Sequence, residues 1–144
     1  MGAHPHRDRR VSAEAPRVGC GAAIVRDGRL LLVKRLKPPE AGHWNLVGGK
    51  VDFLETIEDA VRRETREEVG LEIALGDPLP LVQMIGLDGQ HWVSAVYCAH
   101  VVSGEAILRE PDKMSHLTWA ALDDPPEPLA LAARLAIAAL KADG

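Results

Sequence analysis

Three glutamates stand close together near the end of a predicted helix. Glu64, Glu67 and Glu68 precede Gly70, a residue typical of helix C-termini. At about 100° per residue, with Glu64 at zero, Glu67 falls at roughly −60° and Glu68 at roughly +40°. The three carboxylates therefore share one side of the helix. Acids grouped in this way can hold a divalent cation and move a proton, which is the chemistry of metal-assisted hydrolysis.

The same side of the helix is apolar in its earlier turns. Ile57, Ala60 and Val61 fall within the arc that the glutamates occupy, whereas Arg62 and Arg66 fall on the opposite face. A face that begins apolar and ends acidic does not belong to an ordinary solvated surface.

The charges also require compensation. The partial negative charge of a helix C-terminus disfavours each anion by up to about 1 kcal/mol, and Glu64 repels Glu68 at the i,i+4 spacing. Arg63 can neutralise one carboxylate at most, so a hard cation such as Mg²⁺ would neutralise the rest. The alternative is an exposed Glu/Arg helix with surface ion pairs. The apolar arc and the preceding Gly48-Gly49 favour the metal interpretation.

This segment resembles the signature of the Nudix hydrolase family, G-x5-E-x7-R-E-U-x-E-E-x-G-U, where U is a bulky aliphatic residue. Thr65 stands where an aliphatic residue is usual, and Leu54 stands where many members have Gly. The residues that match in register are Gly49, Glu55, Arg63, Glu64, Glu67, Glu68, Gly70 and Leu71.

The resemblance implies a fold, a reaction and a set of roles. The implied fold is an α/β/α sandwich with a mixed β-sheet between helices. The implied reaction is hydrolysis of a nucleoside diphosphate linked to another moiety, with Mg²⁺ or, as a substitute, Mn²⁺. Glu64 is implied to be a general base or a further ligand, and Arg63 to orient the glutamates through Glu55. The implied metal ligands are the Gly48 carbonyl and the carboxylates of Glu64, Glu67 and Glu68.

The substrate is expected to be a small nucleotide. The stretches 42–49 and 110–119 are similar to the MutT-like group, which hydrolyses (d)NTPs to (d)NMPs and pyrophosphate and includes enzymes that sanitise the nucleotide pool. Lys34 and Arg35 end a predicted strand and are candidates for phosphate contacts. Trp44 and Trp119 are candidates for stacking on a base, as is Trp92. Each of these residues also has a purely structural interpretation.

Other functions stay open on the sequence. The substrate can instead be ADP-ribose, a nucleotide sugar or dihydroneopterin triphosphate. A non-catalytic nucleotide-binding module is disfavoured because no signature glutamate is missing. An enzyme resembling isopentenyl diphosphate isomerase would have to recruit Cys20 or Cys98.

The whole chain sets wider limits. Its 144 residues suffice for one domain, predicted over 18–144 after a flexible tail over 1–17. A net charge of −4 argues against a nucleic-acid polymer as partner, and no apolar run is long enough to span a membrane.

Cys20 and Cys98 are expected to be buried free thiols, which fits a reducing cytoplasm. A homodimer is suggested only by analogy with the family.

The pattern of residues predicts the elements that position the site. Asp27-Gly28 predicts a hairpin turn, and Thr56 predicts a helix N-cap with Asp59 as its capping-box partner. Strands are predicted over 18–25, 30–34, 44–47, 71–74, 79–87, 91–102 and 114–121, and helices over 56–69 and 129–141.

Overall fold

Eight strands and two helices form the regular structure of residues 15–143, the part of the chain that this computed structural model describes. The tail predicted for 1–17 falls outside the described residues up to residue 14, and Arg17 already lies in the first strand. The proposed single-domain boundaries stay a prediction. In chain order the elements are β1 (Arg17–Arg26), β2 (Arg29–Arg35), β3 (Trp44–Asn45), β4 (Val47–Lys50), α1 (Ile57–Val69), β5 (Glu72–Pro78), β6 (Val82–Leu87), β7 (Gln90–Ser103), β8 (Met114–Ala121) and α2 (Leu131–Asp143).

The sheet is mixed, and β1 is its centre. Its strand order is β3-β2-β1-β7-β5, with β4 also paired to β1, β6 to β7 and β8 to β2. The β1–β7 pair is parallel, whereas β2 and β4 run antiparallel to β1. The predicted mixed α/β architecture is confirmed. None of the helices among residues 15–143 has the length and apolar character needed to cross a membrane.

Two tight turns fix the registers of the hairpins. At the β1–β2 turn, Asp27 and Gly28 have φ values of 53° and 75°, and at the β6–β7 turn Asp88 and Gly89 have 52° and 72°. Two successive left-handed residues match the right-handed twist of the flanking strands. Both predicted hairpins are thereby confirmed.

Alternate residues of the central strands face opposite helices. Ile24 and Leu31 belong to the apolar cluster that includes α1, whereas Ala23 and Leu30 belong to the cluster that includes α2. Because neighbouring side chains of a strand point to opposite faces, strands covered on both faces read as continuous apolar runs. The sheet therefore lies between the two helices, as predicted.

Both ends of α1 are capped, and Thr56 is the N-cap as predicted, but Asp59 does not complete the predicted capping box because its carboxylate bonds Arg62. The Thr56 hydroxyl oxygen accepts a hydrogen bond of 3.1 Å from the Asp59 N–H, while the Asp59 carboxylate accepts one from Arg62. At the other end, Gly70 is left-handed (φ 74°) and its N–H donates to the Arg66 carbonyl at 3.0 Å. The caps fix the length of α1 and therefore the position of its last acidic turn.

The second helix begins two residues later than the sequence pattern predicts. Trp44 N–H donates to the Pro128 carbonyl, and Ala130 N–H donates to the Trp44 carbonyl, each at 2.8 Å. This short parallel bridge to β3 holds residues 129 and 130 in an extended path. The apolar helical pattern could not reveal the bridge because it joins positions far apart in the chain.

Replacing Thr56 by Ala should lower the free energy of unfolding by about 1 kcal/mol, because the Asp59 N–H loses its acceptor. Urea denaturation measures the change. Thr56→Ser keeps the hydroxyl and should stay close to wild type. An equal loss in both variants would show that the threonine methyl group, rather than the cap, carries the effect.

Candidate active site

Two glycines allow α1 to lie directly against the sheet. In β4, Gly48 pairs with Gly21 of β1 and Gly49 pairs with Cys20. A Cβ on Gly48 would overlap the carbonyl of Cys20, and a Cβ on Gly49 would overlap the carboxylate of Glu64. Glycine is therefore required at Gly48 for the close approach of β4 to β1, and at Gly49 it leaves room for the carboxylate of Glu64 in this position.

Arg63 organises the carboxylates around it. Its Nε donates to Glu55 Oε2 at 2.7 Å and its Nη2 donates to Glu55 Oε1 at 2.9 Å, a bidentate pair. Nη1 lies 3.1 Å from a carboxylate oxygen of Glu64 and of Glu67, and Nη2 also donates to the Lys50 carbonyl at 3.0 Å. One guanidinium thus fixes three acids relative to β4.

The Glu55–Arg63 pair is fully ionised. The hydrogen bonds from Arg63 lower the pKa of Glu55 to about 2, and the bond to Glu55 raises the pKa of Arg63 above its ordinary value. The pair therefore keeps its geometry across the physiological range of pH.

Glu64 and Glu68 differ from Glu55, because their surroundings disfavour the ionised carboxylate. Glu68 is 8% exposed, and its Oε1 accepts a hydrogen bond of 3.0 Å from the Gly48 N–H. Burial, followed by the charge of Glu64, raises the pKa of Glu68 to about 8. Burial also raises the pKa of Glu64 to about 7, in spite of Arg63, and Glu67 adds repulsion. The positive charge near Glu64 and Glu68 is therefore too small to balance both carboxylates in their ionised form.

These donors fit a hard divalent cation in their chemistry. All are oxygens, and the single charge of Arg63 cannot balance Glu64, Glu67 and Glu68 together. Among residues 15–143, no three acid, imidazole or thiol groups already converge on one point as a cation cage; Arg63 Nη1 lies between Glu64 and Glu67. The acids therefore have the charge and the oxygen ligands that a divalent cation needs. In this structure the guanidinium of Arg63 is the counter-ion of Glu64 and Glu67.

The two departures from the family signature are accommodated differently. Thr65 is fully buried and its hydroxyl donates to the Val61 carbonyl at 2.7 Å, so it packs as the expected aliphatic residue would. Leu54 adopts φ 69° and is 89% exposed. A left-handed backbone explains why glycine is common at that position, and leucine there is strained.

A cavity of about 200 Å³ opens beside the acidic cluster. Gly48 and Gly49 form part of its wall, and Val82, Val96 and Ala132 from the α2 side of the sheet also line it. Trp92 and Met84 line it from the β6–β7 hairpin, and its surface is mostly apolar. An apolar, aromatic-lined cavity beside charged groups is typical of a site for an organic ring that carries an anionic group.

Of the residues predicted to contact substrate, Arg35 lies in the wall of this cavity. It also lines a second hollow of about 170 Å³ that contains Glu68 and Lys113. Its Nε donates to the Pro39 carbonyl at 2.8 Å and its Nη2 to the Pro38 carbonyl at 3.3 Å. Burial lowers the pKa of Arg35. Arg35 is therefore a positive group placed between the cavity and the acids.

The other three predicted contacts lie elsewhere. Lys34 Nζ is 5.9 Å from the centroid of the Trp44 ring, and the guanidinium of Arg26 is 4.3 Å from that of Trp119. Neither tryptophan lines the cavity described above, whereas Trp92 does. Roles for Lys34, Trp44 and Trp119 in binding substrate stay predictions.

Two polar residues near the site have no role assigned to them from the sequence. Glu40 follows a Pro-Pro pair in a predicted loop, where an acid is normally solvated, yet it is 7% exposed and lines the cavity. Lys113 lies in a loop beside Glu110, with Nζ 3.5 Å from its carboxylate, and reaches the hollow that contains Glu68. No local pattern indicates the burial of Glu40, whereas Lys113 lies in the stretch 110–119 that is similar to the MutT-like group. Long-range packing brings both residues to the site.

Comparison with known proteins identifies the family to which the chain is similar. The model of the NUDIX domain matches residues 15–140. The crystal structure of a MutT NUDIX hydrolase from Burkholderia pseudomallei superimposes with a TM-score of 0.83 at 55% identity, covering 87% of this chain and 98% of that one. A Mycobacterium tuberculosis protein named "Putative 8-oxo-dGTP diphosphatase 2" is 41% identical over 106 residues, 71% of this chain and 73% of that protein. An ADP-ribose pyrophosphatase from Methanocaldococcus jannaschii is 36% identical over 91 residues, 62% of this chain and 54% of that protein.

Alanine at the two glycines should have different effects. At Gly48 the new methyl group meets backbone of β1, so we expect the free energy of unfolding to fall by about 2 kcal/mol or more. At Gly49 it meets the end of the Glu64 side chain, which can move, so the fold should survive with Glu64 displaced. Thermal unfolding and a crystal structure of Gly49→Ala check this; equal destabilisation of both variants would contradict it.

The free energy of unfolding in the presence of a chelator should fall as pH rises. Glu64 and Glu68 titrate in the folded state at about 7 and about 8, and in the unfolded chain near about 4.3. Between about pH 5 and pH 8 the folded protein therefore binds more protons, and deprotonation destabilises it. Glu68→Gln should flatten the slope in urea denaturation across this range. Stability that rises with pH, unchanged by Glu68→Gln, would refute these shifts.

Proposed function

We propose that this chain, which belongs to the NUDIX domain family, hydrolyses (d)NTPs to (d)NMPs and pyrophosphate, with Mg²⁺ as its cofactor and Mn²⁺ as a substitute. The observation that carries the proposal is the acidic cluster of α1, short of positive charge and separated by the glycines of β4 from an aromatic-lined cavity. A function in sanitising the nucleotide pool follows from the same assignment.

The proposed cation ligands are the acids of the last turns of α1 together with one backbone carbonyl. Glu67 and Glu68 would hold the cation with the carbonyl of Gly48, and Glu64 is either a further ligand or the base. When bound, a divalent cation supplies neutralisation of the phosphate charge and activation of water. Nudix hydrolases generally use divalent cations.

Glu64 suits the transfer of a proton. In the absence of a cation, burial raises the pKa of Glu64 to about 7, which makes its carboxylate a stronger base than an ordinary glutamate. Arg63 and Glu55 act as positioning residues, because their bidentate pair fixes the guanidinium that contacts Glu64. We assign these two no contact with substrate.

The cavity and the relatives favour a nucleotide with one base. Trp92 offers an aromatic face for stacking, a contact that contributes about 1–3 kcal/mol per base. Arg35 and Lys113 place positive charge around the hollow that contains Glu68, where phosphates would lie. The mycobacterial relative is named for 8-oxo-dGTP, and the Burkholderia structure is titled as a MutT enzyme.

ADP-ribose is the second candidate substrate, because a relative at 36% identity carries that name. A mechanism based on cysteine, as in an isomerase, is disfavoured because burial raises the pKa of Cys20 to about 11 and keeps its thiol protonated. A purely binding module is disfavoured because every glutamate of the signature is present.

A panel of (d)NTPs, 8-oxo-dGTP and ADP-ribose, incubated with Mg²⁺ and analysed by mass spectrometry, tests the function. We expect a nucleoside monophosphate and pyrophosphate from the preferred substrate. Faster conversion of ADP-ribose to AMP and ribose phosphate would replace the proposed substrate, and no turnover of any nucleotide would end the proposal.

Replacing Glu67 or Glu68 by Gln should lower kcat by about a hundredfold or more, since each change removes charge directed at the cation. Glu58→Gln is the matched control, because Glu58 lies exposed in the first turn of the same helix. Steady-state kinetics at saturating Mg²⁺ provides the measurement, with circular dichroism to confirm the fold. A wild-type rate in either variant would show that the residue is not a ligand.

A further inference from the structure

Glu40 joins three parts of the fold at the wall of the cavity. It lies in the loop between β2 and β3 with φ 61°, and its N–H donates to Asp88 Oδ2 in the β6–β7 turn at 3.0 Å. Its Oε2 accepts a hydrogen bond of 2.8 Å from the N–H of Leu131, the first residue of α2. The loop, the hairpin and the helix are thereby held around one carboxylate.

The second carboxylate oxygen of Glu40 has no such contact. Oε1 is buried and lacks a hydrogen-bond partner among the described residues. The nearby guanidinium of Arg35 directs its Nε and Nη2 bonds to the carbonyls of Pro39 and Pro38. A buried acceptor without a donor costs about 1–3 kcal/mol, and more when it is charged. The Oε1 atom of Glu40 therefore lacks a donor among the described residues, and a ligand in the cavity that Glu40 lines can supply one.

The cavity supplies the place for that partner. Glu40 lines it together with Trp92 of β7 and with Ala132, which follows the capped residue of α2. Its volume of about 200 Å³ is below the roughly 300–1,000 Å³ of pockets that enclose whole drug-sized ligands. It therefore suits a single ring system, with the remainder of the ligand outside.

We propose that Glu40 determines base specificity by accepting a hydrogen bond from a ring N–H of the nucleobase. This inference rests on the proposed function, since it deepens the substrate of the same site. Guanine and hypoxanthine carry a ring N–H at N1, beside a carbonyl, whereas adenine has a bare acceptor there. A carboxylate accepts a hydrogen bond from the N1–H of guanine or hypoxanthine and repels the N1 lone pair of adenine. The site therefore selects 6-oxopurines over adenine.

Glu40→Gln gives the sharpest test. The Leu131 N–H will retain the amide oxygen, which leaves an NH₂ group in place of the free oxygen. That NH₂ group faces a ring N–H unfavourably, because both are donors, and it donates a hydrogen bond to adenine N1. The ratio of kcat/KM for dGTP to that for dATP should therefore fall by about tenfold or more, chiefly through KM. Calorimetric binding of dGMP and dAMP should shift in the same direction.

Asp88→Asn is the matched control. It keeps an acceptor for the Glu40 N–H and tolerates the left-handed turn, so it perturbs the same loop without changing the carboxylate. The base preference should stay at its wild-type value. An unchanged preference in Glu40→Gln, or an equal shift in Asp88→Asn, would reduce Glu40 to a residue that only holds the loop and the helix.

A modified nucleotide tests the wild-type protein directly. N1-methyl-dGTP lacks the ring N–H and should have a kcat/KM lower than that of dGTP by about tenfold or more. Equal values would overturn the inference while leaving the proposed function intact. If no dNTP is hydrolysed, the proposed function fails, and the dGMP and dAMP affinities still decide the inference: tighter binding of dGMP supports it, whereas equal or absent binding rejects it.

Discussion

Two carboxyl groups held out of water at the end of α1 are the constraint on which the rest of this structure depends. Glu68 is buried against β4, and the side chain of Glu64 is 14% exposed. Burying a carboxylate is costly unless it is paired, and the pKa values of both groups rise accordingly. One guanidinium cannot balance the cluster. The arrangement is therefore unfavourable for folding and is explained by the proposed cation and its anionic substrate.

The fold is built so that this arrangement cannot relax. The Thr56 and Gly70 caps set the two ends of α1, and apolar residues from its early turns anchor it on the sheet. Strand β4 pairs with the central strand β1, and its glycines bring backbone into contact with the acids. Core packing holds the helix on the sheet and thereby supplies the energy that keeps the acids close together.

Sequence reasoning succeeded where local rules decide the structure. The limits of α1, the hairpin turns at Asp27-Gly28 and Asp88-Gly89, and the buried strands follow from caps, turn chemistry and periodicity over neighbouring residues. The grouping of Glu64, Glu67 and Glu68 followed from helical spacing alone. These features need no knowledge of the rest of the fold.

The wall of the cavity could not be predicted because it is made by distant segments. Glu40 caps a helix that begins 91 residues later, and a loop acid after two prolines has no pattern that indicates burial. The tryptophans show the same limit, because composition identifies three candidates and only their placement shows that Trp92 lines the cavity. The helical pattern predicts too early a start for α2 for a related reason, since the bridge to β3 holds Leu129, which precedes the helix.

Proton release on binding of Mn²⁺ at pH 7 tests the central claim most directly. Glu64 and Glu68 bind protons near neutral pH in the absence of a cation, and a cation must displace those protons. Calorimetric titration in buffers of different ionisation enthalpy should therefore show saturable Mn²⁺ binding with release of protons, and less release in Glu68→Gln. No saturable binding, or binding without proton release, would contradict the account.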